Sequence, residues 1–291
     1  MRVVIAGGTG FLGRPLARSL DADGHDVLVL PRGSTSAVDG ADAVVNLAGE
    51  SIAGRRWTNA HKQRILESRV HTTRALADAI LAAYSPPSVF VSGSAVGYYG
   101  PLGDEIATED TPAGSDFLAH VCVQWEKEAA RARDRTRVVC VRTGLVLERD
   151  GGALPRMLPP FWVGAGGAVG SGRQFWSWIH RSDWIGMVRW VIQNTAVSGP
   201  INVTAPSPVI NAEFARAVGR AIHRPAFLRT PAFVLKLLLG EMADALLLSG
   251  QRAVPNRAQR TGFIFTYPQL DIALQTIFSA PRPGQAAGAP R

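Results

Sequence analysis

Cysteine is scarce in this chain of 291 residues, with only Cys122 and Cys140 present. They fit neither a C-x-x-C nor a metal-ligand spacing, which argues against a disulfide framework and leaves no metal site to expect. Lysine is scarcer still for a basic protein, occurring only at Lys62, Lys127 and Lys236. The net charge of +8 therefore rests on scattered arginine, and no basic run interleaves with aromatics as a nucleic-acid surface would require. Nucleic acid is not an expected partner. Long apolar runs are missing too. The most apolar stretch, 232–248, is broken by Lys236, Glu241 and Asp244, so it is too charged and short to span a bilayer and reads as a core-packing helix pair. The first strand begins at once, leaving no room for a signal peptide, and a cytoplasmic location is expected.

Glycine, by contrast, is concentrated where it is informative. Val3–Gly13 reads V-V-I-A-G-G-T-G-F-L-G, a short apolar strand that breaks into glycines and restarts as a helix. Gly8, Gly10 and Gly13 satisfy G-x-G-x-x-G, and Gly7, Gly10 and Gly13 satisfy G-x-x-G-x-x-G. Such a turn lets a pyrophosphate approach backbone N–H groups where a Cβ would intrude, and the helix N-terminus adds partial positive charge. A strand over 2–6, a helix over 11–20 and a second strand over 26–30 make a complete βαβ unit. That second strand ends Leu30-Pro31-Arg32, with no acid until Asp39. An NAD site usually places Asp or Glu there for the ribose, whereas a guanidinium suits a 2′-phosphate, so Arg32 points to NADP(H).

Further strands are expected over 42–47, 88–92 and 137–142, with helices over 60–83 and 117–132. The connection 33–41 is too short for the usual crossover helix. The alternation predicts an α/β fold, a Rossmann-type doubly wound parallel sheet with a smaller C-terminal substrate-side lobe. Ligand groups then collect at the carboxyl ends of the strands: Arg32, Asn46–Gly49, Ser92–Ser94 and Arg142–Val146. We expect an NADP-binding domain over 1–150 with parts of 170–205 returning to it, a lobe over 151–278, and a disordered tail over 279–291. Both a monomer and a homodimer are compatible with the sequence.

Together these residues resemble the extended short-chain dehydrogenase/reductase superfamily, and more narrowly its atypical epimerase-family proteins with an extra C-terminal segment. The resemblance runs from Met1 to about Phe278. It rests on Asn46-Leu47-Ala48-Gly49-Glu50, Trp125-Glu126, Gly151-Gly152, Gly170-Ser171-Gly172-Arg173-Gln174, Trp178-Ile179-His180 and Gly262-Phe263. It implies that Gly7, Thr9, Gly10, Phe11, Leu12 and Gly13 lie under the pyrophosphate, that Arg32 meets the 2′-phosphate, and that Leu47, Ala48 and Gly49 flank the adenosine. It also brings Arg64, Arg69 and Ser92 near the cofactor and Val146 near the nicotinamide.

One departure matters for chemistry. The superfamily uses a Tyr-x-x-x-Lys pair in which lysine lowers the tyrosine pKa, and this chain has none: Leu118 and Cys122 occupy the expected positions in the Trp125-Glu126 register. Ser94 matches the serine that bonds the substrate oxygen, and Tyr98 or Tyr99 could supply a phenol. His120 and Asp183 read as structural, the latter as an N-cap near Trp184, while Arg173 and Gln174 could face a polar substrate. The leading expectation is an NADP(H)-binding oxidoreductase or epimerase-like protein acting on a carbonyl or hydroxyl substrate. A non-catalytic NADP(H)-binding sensor or partner-binding protein and a sugar-nucleotide epimerase are the alternatives.

Overall fold

Val3, Val4, Ile5 and Ala6 alternate between the two faces of strand β1 (Arg2–Ala6), and all four are buried, as a strand covered on both sides requires. The computed structural model describes residues 1–279. β1 pairs in parallel with β2 (Asp26–Leu30) on one side and β3 (Ala43–Asn46) on the other. β4 (Val89–Ala95), the Arg137–Thr143 strand and the Gly199–Val203 strand extend the sheet beyond β3, all parallel. The order from one edge is thus 199–203, 137–143, β4, β3, β1, β2. This is the expected α/β architecture.

Two helical layers cover the sheet. α1 (Gly13–Ala22) and α5 (Arg181–Gln193) bury Leu16, Leu20, Trp184, Met187 and Val188 against Val3, Ile5, Val91 and Val141. On the opposite face, α2 (Asn59–Ala82) and α3 (Phe117–Ala130) bury Leu76, Ala77, Ile80 and Ala129 against Val4, Val44 and Phe90. The β2–β3 connection crosses β1 on this second face without a helix, filling the layer with Ala37, Val38 and Ala41. The chain winds from β1 to β2 on one side and from β3 outward on the other, and this change of winding creates a topological switch point at the carboxyl ends of β1 and β3, where α/β sheets bind ligands.

A separate core lies in the C-terminal lobe. There α4 (Leu154–Trp162), α6 (Asn211–Ala221) and the Leu270–Ser279 helix pack Leu158, Phe161, Phe214, Val218, Leu274 and Ile277 around Trp176 and Trp178.

Several expectations are corrected. α1 starts at Gly13 rather than Phe11, because Gly10 N donates to Gly7 O (3.1 Å) and holds the preceding residues in a turn. β4 continues past Ser92 to Ala95, since the adjacent strand offers partners as far as Thr143. The 232–248 stretch is core only in its second part: α7 (Ala232–Leu239) buries no residue, and Phe233 and Leu237 are 71% and 76% exposed, whereas Met242 and Ala243 are buried. Gly240 at φ +64 breaks the helix, and Lys236 pairs with Asp244 (2.9 Å), so α7 leans on the turns that follow it. Of the expected tail, Ser279 closes the last helix and the remainder lies outside the described residues.

Candidate functional site

Gly7 adopts φ +79 at the end of β1, and a Cβ there would lie 2.7 Å from Leu47 C and Ala48 N. The turn after β1 and the turn after β3 therefore touch through glycine backbone. A Cβ on Gly13 would overlap the Gly7 carbonyl, and one on Gly10 would sit 3.3 Å from that oxygen, so the G-x-x-G-x-x-G register is the one that shapes this turn. Gly8 serves packing instead, since its Cβ would meet Val29 at 2.7 Å. Thr9 and Gly10 are exposed, and the N–H groups of Phe11 and Leu12 take no acceptor among the described residues. This is a cradle of free donors at the head of α1, the arrangement a pyrophosphate needs.

The far wall is equally fixed. Asn46, fully buried, donates to Thr73 Oγ1 (2.8 Å) and accepts from Ala48 N (3.2 Å), which sets the path of Leu47–Gly49. Arg69 sits behind that loop: it donates to Glu50 O and Ile65 O, both at 3.0 Å, and lies over the Trp125 ring. Burial lowers its pKa, and a Cβ at Gly49 would approach its guanidinium to 3.1 Å. Arg69 thus buttresses the loop, while Arg64 is exposed with its guanidinium 3.5 Å from His61 Nδ1. Arg32, at the end of β2, is exposed and has no ion pair or side-chain hydrogen bond among the described residues. Ser92 is buried in β4 and donates to Gly93 O at 3.3 Å. Val146 is buried in the main core, in register with Ile179.

Phe11 explains a motif that sequence alone left unexplained. A Cβ at Gly151 would lie 2.6 Å from its ring and one at Gly152 2.9 Å, so the paired glycines let the chain close over Phe11. Arg181 covers the same ring at 5.3 Å and pairs with Glu148 and Asp150.

At the carboxyl end of β4, Ser94 donates to Glu126 Oε1 at 2.6 Å. Glu126 is held in a two-pronged pair by Arg142, Nε to Oε1 at 2.8 Å and Nη2 to Oε2 at 2.9 Å. Arg142 also donates to Tyr99 Oη (3.1 Å), which donates to Asn202 Oδ1 (2.6 Å). Burial pushes the Tyr99 phenol up to about 12, so it remains a donor. The pairing with Glu126 outweighs desolvation and raises Arg142. Tyr98 stacks on Arg142 at 3.4 Å and lines a cleft of about 510 Å³ between α3 and the sheet edge, with Val123, Lys127 and Pro200. Ser94 and Tyr98 thus meet the same guanidinium–carboxylate pair, a cluster without a sequence motif because Ser94, Glu126 and Arg142 lie on three different elements.

Leu118 packs against Gly97 at 3.3 Å from where a Cβ would stand, and Cys122 is buried with its thiol pushed up to about 12 by desolvation. Neither can take the part of a tyrosine–lysine pair. His120 is exposed on α3. Gln174 is used structurally, donating to Val169 O (3.1 Å) and Leu247 O (2.7 Å), whereas Arg173 is exposed. The N-cap of α5 is His180, whose Nδ1 accepts from Ser182 N; Asp183 instead accepts from Thr266 N and Tyr267 N at 2.9 and 2.8 Å.

A switch-point crevice with a glycine cradle, free helix-head donors and a fixed opposite wall defines a Rossmann-type, NAD(P)-binding protein of the extended short-chain dehydrogenase/reductase class. The chain belongs to the NAD dependent epimerase/dehydratase family, whose model matches residues 3–204. A second model, a domain of unknown function (DUF1731), matches residues 230–277. The human epimerase family protein SDR39U1 is 40% identical over 291 residues, covering 95% of this chain and 99% of that protein. The epimerase family protein MT2273 of Mycobacterium tuberculosis is 41% identical, covering 97% of this chain and 98% of the relative. Among solved structures, human SDR39U1 (isoform 2) with NADPH superposes at a TM-score of 0.91 with 40% identity, over 96% of this chain and 99% of that one. The nucleoside-diphosphate sugar epimerase of Corynebacterium glutamicum gives 0.78 at 33% identity, over 96% of this chain and 58% of that one.

Proposed function

We propose that this protein is an NADP(H)-dependent oxidoreductase acting on a small hydroxyl or carbonyl substrate. The observation that carries the cofactor choice is Arg32: an exposed guanidinium without a partner, at the strand end where an NAD site would hold an acid. The NADPH bound to the human relative supports the same reading. The phosphate cradle of Gly7, Gly10 and Gly13 would hold the pyrophosphate, with Leu47–Gly49 against the adenosine. When bound, the nicotinamide supplies or accepts hydride. Replacing Arg32 by Asp should weaken NADP+ binding by about 1–3 kcal/mol, the range for charged hydrogen bonds, and NAD+ much less. Calorimetry with both cofactors tests this; equal losses would remove Arg32 from the 2′-phosphate.

The residues also bear on proton handling. The single proton of Ser94 is committed to Glu126, so its hydroxyl offers lone pairs and accepts from a substrate hydroxyl. As that hydroxyl gives its proton to Ser94 Oγ, the Ser94 proton passes to Glu126 Oε1. The opposite direction returns it by the same path. Ser94→Ala should lower kcat by about 10²-fold, the low end for acid–base groups, while cofactor affinity holds and Ser94→Thr retains activity. An unchanged kcat in Ser94→Ala would eliminate the relay.

A second reading rests on Leu118 and buried Cys122, which leave no tyrosine–lysine pair: an NADP(H)-binding protein without turnover that serves a partner. Tight cofactor binding with no turnover on any carbonyl, alcohol or sugar-nucleotide would favour it. The name of the Corynebacterium relative adds sugar-nucleotides to that panel.

A further inference from the structure

Many arginines among the described residues are partnered. Arg74 and Arg131 bind Glu128, Arg142 binds Glu126, Arg181 binds Glu148, Arg189 binds Asp23, and Arg135 and Arg137 cap backbone carbonyls. Others stand singly without a partner, but the outer face of α6 gathers four in one concavity. A cleft of about 810 Å³ there is lined by Arg216, Arg220, His223, Arg224 and Arg229, with Phe227 at its rim. Only Arg220 has an acidic partner, Asp271 at 2.6 Å. Arg216, Arg224 and Arg229 form no ion pair or side-chain hydrogen bond among the described residues.

The local backbone builds this concentration. Two residues past α6 the chain turns at His223 in the left-handed region (φ +53), and Arg224 N bonds back to Gly219 O at 2.9 Å. Gly219 lets the returning chain lie flat on the helix, since a Cβ there would stand 2.6 Å from Ala226. Arg224 and Arg229 are thereby brought to the same cleft as the Arg216 and Arg220 stripe, spaced i, i+4 on the helix. Like charges gathered in one concavity repel one another, a cost that a bound anion would offset. Phe227 is 79% exposed at the same rim and presents an aromatic face.

We infer that this cleft is a second ligand site, for a nucleotide polyphosphate: phosphates on Arg216, Arg224 and Arg229 through paired guanidinium donors, and the base on Phe227. It shares no lining residue with the glycine cradle or with Leu47–Gly49, and it does not depend on the function proposed above.

The test is calorimetry on the full chain saturated with NADPH, which occupies the crevice, using ATP and inorganic tripolyphosphate as probes. ATP should bind, and Arg224→Ala with Arg229→Ala should weaken it at least tenfold while NADPH affinity is unchanged. Phe227→Ala should weaken ATP and leave tripolyphosphate as it was. No binding of either probe, or ATP binding indifferent to the arginine pair, overturns the site. Equal binding of the two probes with no effect of Phe227→Ala overturns the nucleotide assignment.

Discussion

Cys122 shows how much one side chain can decide. It stands on α3 where the superfamily lysine would be, is 4% exposed, and donates weakly to Ala95 O at 3.7 Å. A lysine there would bring an ammonium into a layer that already holds Arg69 and Arg142. With the thiol pushed up to about 12 and Cys140 pushed up further by desolvation, almost no thiolate exists at pH 8. Both cysteines should therefore resist a thiol-specific disulfide reagent in the native protein and react fully once it is unfolded. Rapid stoichiometric labelling of native protein at pH 8 would show that the α3 layer opens. The absence of the Tyr–Lys pair was legible from the sequence. The contact of Ser94, Glu126 and Arg142 was not, because these residues lie far apart in the chain and meet only when β4, α3 and the Arg137–Thr143 strand pack.

His180 works at the level of the element it starts. It ends a short strand, Trp178–His180, and its Nδ1 accepts from Ser182 N at 3.1 Å, so the ring caps α5 only when that nitrogen is unprotonated. It also stacks on Tyr267 at 4.0 Å. Burial depresses its pKa below the ordinary 6.5, opposed by the nearby carboxylates of Glu148 and Asp183 and assisted by Arg181. The folded state then binds fewer protons than the unfolded one. Stability from this group is full above about pH 6.5 and declines as pH falls below it. His180→Asn keeps a capping oxygen and should flatten the acid side of the stability curve, costing about 1 kcal/mol or less at pH 7.5. Denaturant melts at pH 7.5 and 5.5 decide it, and parallel losses in both proteins would rule the cap out as the cause. Element identity was partly legible here: α1, α2 and α3 follow from periodicity, whereas the cap of α5 is His180 and not the expected Asp183. α7 was not. Its apolar residues have no polar stripe to orient them, so composition alone suggested a burial that the fold does not give them.

Across the whole molecule, the segment between Gly49 and α2 joins the cofactor crevice to the C-terminal lobe. Arg156 of α4 donates to Ala53 O at 2.5 Å, Lys62 pairs with Glu241 at 2.8 Å, and Gly240 lies beside Arg56. The chain that leaves the Leu47–Gly49 wall is thus tied to α4 and to the Gly240–Glu241 turn after α7. The overall two-part architecture could be anticipated from the sequence, but not this strap, because each tie joins residues that lack any motif and lie on different lobes. These contacts are half-exposed, and each is worth no more than about 1 kcal/mol to folding. Their larger effect is expected on ligand exchange, because the tied segment follows directly on the Leu47–Gly49 wall of the crevice. Arg156→Ala combined with Glu241→Gln should leave the melting temperature within a few degrees. Release of NADPH, followed by the loss of its bound-state fluorescence in a stopped-flow chase, should accelerate about fivefold or more, as a barrier lowered by roughly 1 kcal/mol implies. A release rate equal to that of the unaltered protein would mean that the strap stands clear of the exit path.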